Sequence, residues 1–393
     1  VSDFDKQKDQ ELAQLREELL TWDYQPKPVR RVEIPKPDNR GVRLLGVPCV
    51  RDRVVQTAIK MVIEPILEPT FSNSSFGFRP NRDQKGAIEA ARRYVEAGKE
   101  YVVDIDLSKF FDRINHDRLI AKLSKQIDDK RILRLIGMTL RSGIITDQGF
   151  IASTIGSTQG SPLSPLLSNV ILDELDKKLE QRGLSFVRYA DDCNIFMATV
   201  KSATRVMEST CRFIESKMKL IINREKSQVA KSNRVKFLGV TIVKGTVAVS
   251  KTALKAAQNK VKQLIPKGTH KTLETTIREY NSWYRGWAGY FQVTYYPSQL
   301  KRIEAMARRR LRARIIAQSK RRKYLFRKLK KQGIKPQTAA KTVFSNKKRW
   351  ALSKTKAVER AFPNKYFEKA GMLIWSNRRL KHWVDVNRWV YLS

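Results

Sequence analysis

Two adjacent carboxylates, Asp191 and Asp192, sit within Phe186-Val187-Arg188-Tyr189-Ala190-Asp191-Asp192-Cys193-Asn194-Ile195-Phe196-Met197. Short apolar, β-forming runs flank them, a pattern that reads as strand, tight turn, strand with the acids at the tip. Neighbouring carboxylates repel one another unless a cation neutralises them. A hard divalent ion suits that task, because Mg²⁺ prefers carboxylate and phosphate oxygens. The chemistry such a site supports is metal-assisted displacement at phosphorus. An acidic surface turn is also common, and taken alone this stretch reads more readily as one.

A second source of carboxylate lies far upstream, in Tyr101-Val102-Val103-Asp104-Ile105-Asp106-Leu107-Ser108-Lys109-Phe110-Phe111-Asp112. Strand alternation puts Val102, Asp104 and Asp106 on one face. Two acids on one face of an apolar strand are costly unless paired, metal-bound or solvated at the strand end. Spacing leaves both Asp104 and Asp106 open as ligands. Cations come from a predicted hairpin over residues 26–47, which turns at Asp38-Asn39-Arg40-Gly41. Its Arg30, Lys36 and Arg43 could close over a phosphate chain, or the hairpin is simply solvated and basic.

The elements that must position these groups follow from periodicity. An amphipathic helix is expected over residues 3–20, with Leu12, Leu15, Leu19 and Leu20 on one side. Helices are expected at 51–67, 83–97, about 114–142 and 201–219. Another opens at Gln159-Gly160-Ser161-Pro162-Leu163-Ser164-Pro165 and runs to about Leu179, with Pro165 in its first turn, where the missing N–H costs nothing. Residues 220–227 read as a strand and turn, and 237–242 with 247–249 as a small hairpin around Gly245. Three helices are expected beyond Lys251, over 252–265, 273–293 and 298 to about 331. In the second, Leu273, Ile277, Tyr280, Tyr284, Trp287 and Phe291 recur at helical spacing and read as core.

Charge is distributed unevenly. Of a net +41 over 393 residues, residues 251–393 hold 37 Lys and Arg against six Asp and Glu. A polyanionic partner is expected for that third. The stretch 301–331 alone carries 15 basic residues and one acid, so Arg308, Arg309, Arg310, Arg312, Arg314, Lys320, Arg321 and Arg322 are candidate nucleic-acid contacts. Arg79, in a Ser/Asn-rich loop, is grouped with them. Four of the seven tryptophans, Trp350, Trp375, Trp383 and Trp389, lie among the basic residues of 332–393. That mixture suits RNA stacking as well as packing. No 18-residue apolar run, signal peptide or lipidation motif argues for a membrane. The three cysteines, Cys49, Cys193 and Cys211, offer no zinc spacing and fit a reducing cytoplasm. The first residue is Val, so the sequence reads as starting inside a longer polypeptide.

Taken in order, PVRRVEIPKP, SSFGFRP, VVDIDLSKFFDRINHD, TQGSPLSPLLSN, RYADD, NREKS, FLGV and NSWYRGWAGYF resemble the motif series of group II intron-encoded reverse transcriptases, most closely the compact forms without a C-terminal endonuclease. The resemblance covers nearly the whole chain. It implies an α+β right-hand polymerase fold with an antiparallel palm sheet. Fingers are expected at 1–100, palm at 101–249, a three-helix maturase-type thumb at 250–331 and a small basic DNA/RNA-binding segment at 332–393.

The family register of a catalytic Asp followed five and six residues on by an aromatic and an Asp selects Asp106, with Phe111 and Asp112 behind it. Asp191 and Asp192 match the first and second acids of the hairpin motif. The implied cofactor is two Mg²⁺ ions, with Mn²⁺ as a substitute, bound by Asp106, Asp191 and Asp192. Phe111 matches the position that blocks a 2′-OH, and Arg30, Lys36 and Arg43 match cations on the triphosphate. Gln159 and Gly160 match the element shaping the nucleotide pocket. Lys226 matches a lysine near the leaving pyrophosphate. Implied partners are the intron RNA, a DNA primer and target, and dNTPs, in the bacterial cytoplasm or nucleoid. The implied activity is RNA-directed DNA synthesis with splicing support and target-primed intron mobility. Relatives serving CRISPR, phage defence or repair share the catalytic set, so the motifs leave that alternative open. The family's Gly-hydrophobic-Asp-Gly segment and N-terminal extension would precede Val1.

Overall fold

The strands in chain order are β1 (Val29–Pro35), β2 (Val42–Val47), β3 (Tyr101–Ile105), β4 (Ile144–Thr146), β5 (Gly149–Ile151), β6 (Ser185–Tyr189), β7 (Asp192–Met197), β8 (Gln228–Lys231), β9 (Val240–Val243) and β10 (Thr246–Val249). The computed structural model describes residues 2–35, 41–266, 268, 270–319 and 321–376. Lys36, Lys320, Trp383 and Trp389 lie outside the described residues. The chain divides into two compact units, 1–237 and 238–393.

In the first unit, β1 and β2 pair antiparallel, with Arg30 opposite Val47 and Ile34 opposite Arg43. Opposed residues share a face and faces alternate along a strand, so Arg30 and Arg43 stand on the same side of the hairpin. The full sheet runs β2-β1-β4-β5. Its β4–β5 hairpin was not foreseen, because strands of three residues are too short to display alternation.

The second sheet runs β6-β7-β3-β8, with every neighbouring pair antiparallel. Its register aligns Phe186, Ile195, Val103 and Val229 in one row across the strands. The first three are almost wholly buried, each contributing about 1.5–3 kcal/mol by burial. Helices Gln84–Glu96, Ser164–Gln181 and Val200–Ser216 pack against these strands. The first begins where Asp83 accepts a hydrogen bond from the Gly86 N–H, and the last where Thr199 accepts from Ser202, the usual side-chain caps of a helix start. On the other face of the sheet, Asp104 stands opposite Asn194.

Of the strand and turn expected at 220–227, the turn is present and the strand is reduced to one bridge. Ile222 makes a single bridge to Leu107, and the chain then turns, with Ser227 N donating to Asn223 O at 2.9 Å. Only after that turn does β8 begin.

The second unit combines the β9–β10 hairpin with helices Lys251–Leu264, Leu273–Phe291, Pro297–Gln318 and Arg322–Lys331, followed by short helices to residue 369. The hairpin, read from sequence as palm, groups here because its backbone is bonded by this unit. Gln299 Oε1 accepts from Val249 N (2.8 Å), Gln299 Nε2 donates to Val249 O (3.1 Å) and Tyr295 N donates to Val247 O (2.8 Å). The single helix expected from 298 to 331 is two helices, ending first at Gln318, where the Ser319 hydroxyl turns back onto Ile315 O.

Tyr280 and Tyr284 are fully buried and stack at 5.1 Å, so the aromatic stripe is core. The same core takes in Leu329, Val343, Val358, Phe362 and Phe367. The described part of the tail therefore shares its packing with the helices before it. Among the described residues, no helix is long and apolar enough to cross a membrane.

Candidate active site

Asp106 follows directly on β3, where the Asn223–Ser227 turn grips its backbone. Asp106 N donates to Ser227 Oγ (3.0 Å) and Asp106 O accepts from Asn223 N (2.8 Å). Lys226, in the same turn, sets its Nζ 3.4 Å from Asp106 Oδ2. Both side chains reach solvent, so this pair contributes no more than about 1 kcal/mol; its consequence is placement of an ammonium beside the acid.

The β6–β7 hairpin closes at Tyr189 opposite Asp192, leaving Ala190 and Asp191 as a two-residue loop. Ala190 adopts φ +58°, a left-handed conformation that glycine usually supplies in such turns. The β3–β7 pairing ends with Ile105 opposite Cys193, so Asp106 leaves β3 at the end of the sheet where β7 begins with Asp192.

The electrostatics show these groups sharing one field. Burial pushes the Asp192 carboxyl up to about 7, with Asp104 and then Asp191 adding to the rise and the Asn194 amide opposing it. Burial also raises Asp191, Asp106 adds to it, and Arg43 pulls the other way. Asp104 is raised by burial, helped by Asp106 and opposed by Gln228. Asp104, Asp106, Asp191 and Asp192 thus act on one another electrostatically at one end of the sheet, and Arg43 offsets part of the repulsion at Asp191.

Among the described residues, no three His, Cys, Asp or Glu side chains form a ready-made metal shell. The donor chemistry nonetheless fits a hard cation, since these carboxylates are crowded, partly desolvated and mutually repelling. Mg²⁺ typically takes one or two carboxylates and completes its shell with water and substrate phosphates.

The remaining nucleotide candidates form a connected wall. Phe111 lies in a short 3-10 helix, Phe110–Arg113. Its ring is half-buried and meets Phe110 edge-on at 5.3 Å, and its carbonyl accepts from Ser157 N at 2.7 Å. Gln159 O accepts from Gly46 N on β2 at 2.9 Å. Gly160, at φ +122°, lies so close that a Cβ would come within 2.9 Å of Gly46 O. Residues 156–160 therefore join the Phe111 turn to the strand carrying Arg43. Arg30 is exposed on the Arg43 face.

Several candidate nucleic-acid contacts have other work. Arg79 is buried and bidentate to Glu68, with further bonds to the Ser72 and Ser75 carbonyls. Arg79→Ala is expected to cost about 3 kcal/mol of stability, the usual result of breaking a buried pair. RNA affinity of the folded variant should stay within about twofold, because no phosphate contact is lost. Thermal unfolding and filter binding check both.

In helix Pro297–Gln318, Arg310 donates to Ile265 O (2.6 Å), Arg312 to Phe362 O (2.9 Å) and Arg314 to Thr272 O (3.1 Å) and to Lys271 O. Ile265 and Phe362 follow helix ends, where carbonyls lack helical partners. The basic run therefore caps neighbouring elements instead of repelling itself. Arg309 lies over the Trp350 ring at 3.9 Å, and Arg308 is 3.9 Å from Glu304. Arg321 and Arg322 are exposed.

Sequence reasoning left Arg188, Asn169, Asp176 and Gly77 without roles, although all but Asp176 lie inside motifs it singled out. The legible signal was an arginine in the middle of an apolar strand, since arginine is almost never fully buried unless paired.

A palm of antiparallel strands carrying acids at adjacent strand ends, with a cationic hairpin beside it, defines a nucleotidyl-transferring polymerase. The chain belongs to the reverse transcriptase (RNA-dependent DNA polymerase) family, whose model matches residues 34–242. Residues 254–333 match the group II intron maturase-specific domain. Protein YkfC of Escherichia coli is 34% identical over 261 residues, 57% of this chain and 68% of that protein. The group II intron-encoded protein LtrA of Lactococcus lactis is 30% identical over 221 residues, 56% of this chain and 36% of LtrA. The putative COX1/OXI3 intron 2 protein of Saccharomyces cerevisiae is 34% identical over 218 residues, 55% of this chain and 25% of that protein. The match thus spans two thirds of YkfC but only about a third or a quarter of the two intron proteins. Reverse transcriptases use divalent metal ions and bind RNA, DNA and nucleotides.

Proposed function

We propose that this chain extends a DNA primer on an RNA template, with Asp106 and Asp191 holding two Mg²⁺ ions and Asp192 supporting them. The carrying observation is that β3 pairs with β7, so Asp106 just past the end of one strand and Asp191–Asp192 at the turn that opens the other lie at one end of the sheet. When bound, the ions offset charge developing on the attacking 3′ oxygen, the α-phosphate and the leaving group.

The chain's own residues do the rest. Arg43 and Arg30, on one face of the hairpin, take the triphosphate, and Lys36 belongs with them by sequence. Phe111 closes the sugar side of the pocket, and Gln159 lines its template side. Lys226 Nζ, beside Asp106, gives a proton to the departing pyrophosphate. The test is extension of a DNA primer on an RNA template by the full chain with Mg²⁺. Extension should require the template and all four dNTPs, stop with chelator and return with Mn²⁺. No templated product would contradict the reading.

We further propose that the chain binds its own intron RNA as a maturase, which the maturase-specific match over residues 254–333 and the +31 charge of the last third favour over a host-defence role. We place this work in the bacterial cytoplasm or nucleoid. Target-primed synthesis at a DNA site would follow from the two activities together. The exposed Arg321 and Arg322 are the phosphate contacts. Replacing both with Ala should weaken intron-RNA binding about tenfold and reduce the salt slope by about two, one per lost phosphate contact. A salt titration of binding checks this.

A further inference from the structure

The geometry points to Arg188, with Asn169, as positioning residues that aim the Asp191 carboxylate, an inference that rests on the polymerase reading above. Arg188 is wholly buried, as are Asn169 and Asp176. Its Nε and Nη2 bind both oxygens of Asp176 at 2.5–3.0 Å. Its Nη1 donates to Asn169 Oδ1 and to Ala190 O, each at 2.9 Å. Asn169 and Asp176 lie two turns apart on helix Ser164–Gln181, hence on one face. Asn169 Nδ2 then donates to Gly77 O at 2.9 Å.

Gly77 closes the ring. A Cβ there would sit 2.3 Å from Ala190 N, so only glycine lets this backbone lie against the turn. The same loop is stitched to β6 through the Arg188 main chain, with Arg188 N donating to Ser74 O and Phe76 N donating to Arg188 O, both at 2.9 Å.

Ala190 is therefore held at its nitrogen by packing and at its carbonyl by the guanidinium. The Ala190 carbonyl and the Asp191 nitrogen belong to one planar peptide, so fixing that carbonyl fixes the plane from which Asp191 departs. A left-handed alanine would not hold this turn unaided. Such conformations persist where surroundings over-determine them, and they cluster at working sites.

A buried ion pair is a weak device for stability alone, because desolvation offsets most of its attraction. Arginine's rigid planar fork supplies direction instead. Here one arm of the fork is fixed on the helix and another on the catalytic turn.

The experiment uses the full chain and two variants, Asn169→Ala and the double variant Asp176→Leu/Arg188→Met, the second removing both charges while filling their volume. Hydrogen exchange of the metal-free protein should accelerate about tenfold across residues 186–197 and 74–78, with the thermal midpoint little changed. The single-turnover extension rate constant should fall about 100-fold, the usual result of misplacing a reacting group by an ångström, with the active fraction retained. Folded variants with unaltered exchange and rate constant would overturn the inference. So would loss of folding in both variants, or a reduced active fraction at an unchanged rate constant, each of which assigns the network to stability. Absence of templated extension by the wild-type chain would instead sink the polymerase reading.

Discussion

Asp191→Asn is expected to lower the single-turnover rate of primer extension about 10³–10⁴-fold, the scale of losing a principal electrostatic stabiliser at a reacting phosphate. Folding should not suffer. The Asp191 carboxyl is raised by burial and by Asp106, so its ionised form opposes folding at neutral pH. A group whose folded pKa is raised destabilises the native state above its unfolded pKa. Removing that charge should leave the thermal midpoint equal or higher. A variant dead in extension and at least as stable as the parent separates function from fold, and undiminished extension would remove Asp191 from the mechanism. The pattern is that of a site holding repulsion for its chemistry and offsetting it elsewhere.

The second large effect is on sugar choice. Phe111→Ala is expected to reduce the preference for dNTPs over rNTPs about 100-fold, the discrimination available to an apolar wall that must reject one added hydroxyl. The ring is held in place. Phe111 packs edge-on against Phe110, and its carbonyl is tied to Ser157. Rate constants for dATP and ATP opposite the same template base measure the ratio. A ratio unchanged in the variant would assign the gate to another residue. The dNTP rate itself should change little, because the ring is asked to exclude and not to hold.

The Asp191–Asp192 turn was legible because short-range spacing reports it, whereas the choice of Asp106 over Asp104 and the role expected of Phe111 came from the family resemblance. The YADD hairpin reads directly from apolar runs flanking a turn, and the aromatic stripe at Tyr280, Tyr284 and Trp287 reads from helical period. What spacing could not report was partnership across the chain. Arg79 looked like a surface cation, yet Glu68 and two loop carbonyls take up its guanidinium. Arg310, Arg312 and Arg314 looked like a self-repelling run, yet each finds a carbonyl more than 40 residues away. Composition counts charges and does not show which carbonyls they meet. The same blindness hid Arg188, whose Asp176 is near in sequence but on a different element.

Boundaries failed for a related reason. The shift to basic composition at Lys251 looked like a domain edge, but packing divides the chain at Phe237. Gln299 and Tyr295 bond the β9–β10 hairpin, and no local pattern in 237–249 announces them. The three-residue strands β4 and β5 were invisible because alternation needs more length than they have.

The measurement that bears most directly on the central claim is anomalous scattering from crystals of the full chain with an RNA template, a DNA primer ending in a 3′-deoxy nucleotide, an incoming dNTP and Mn²⁺. The account predicts two manganese peaks in contact with the Asp106 and Asp191 carboxylates, and their loss in Asp191→Asn. Peaks ligated elsewhere, or retained unchanged when Asp191 is replaced, would contradict it.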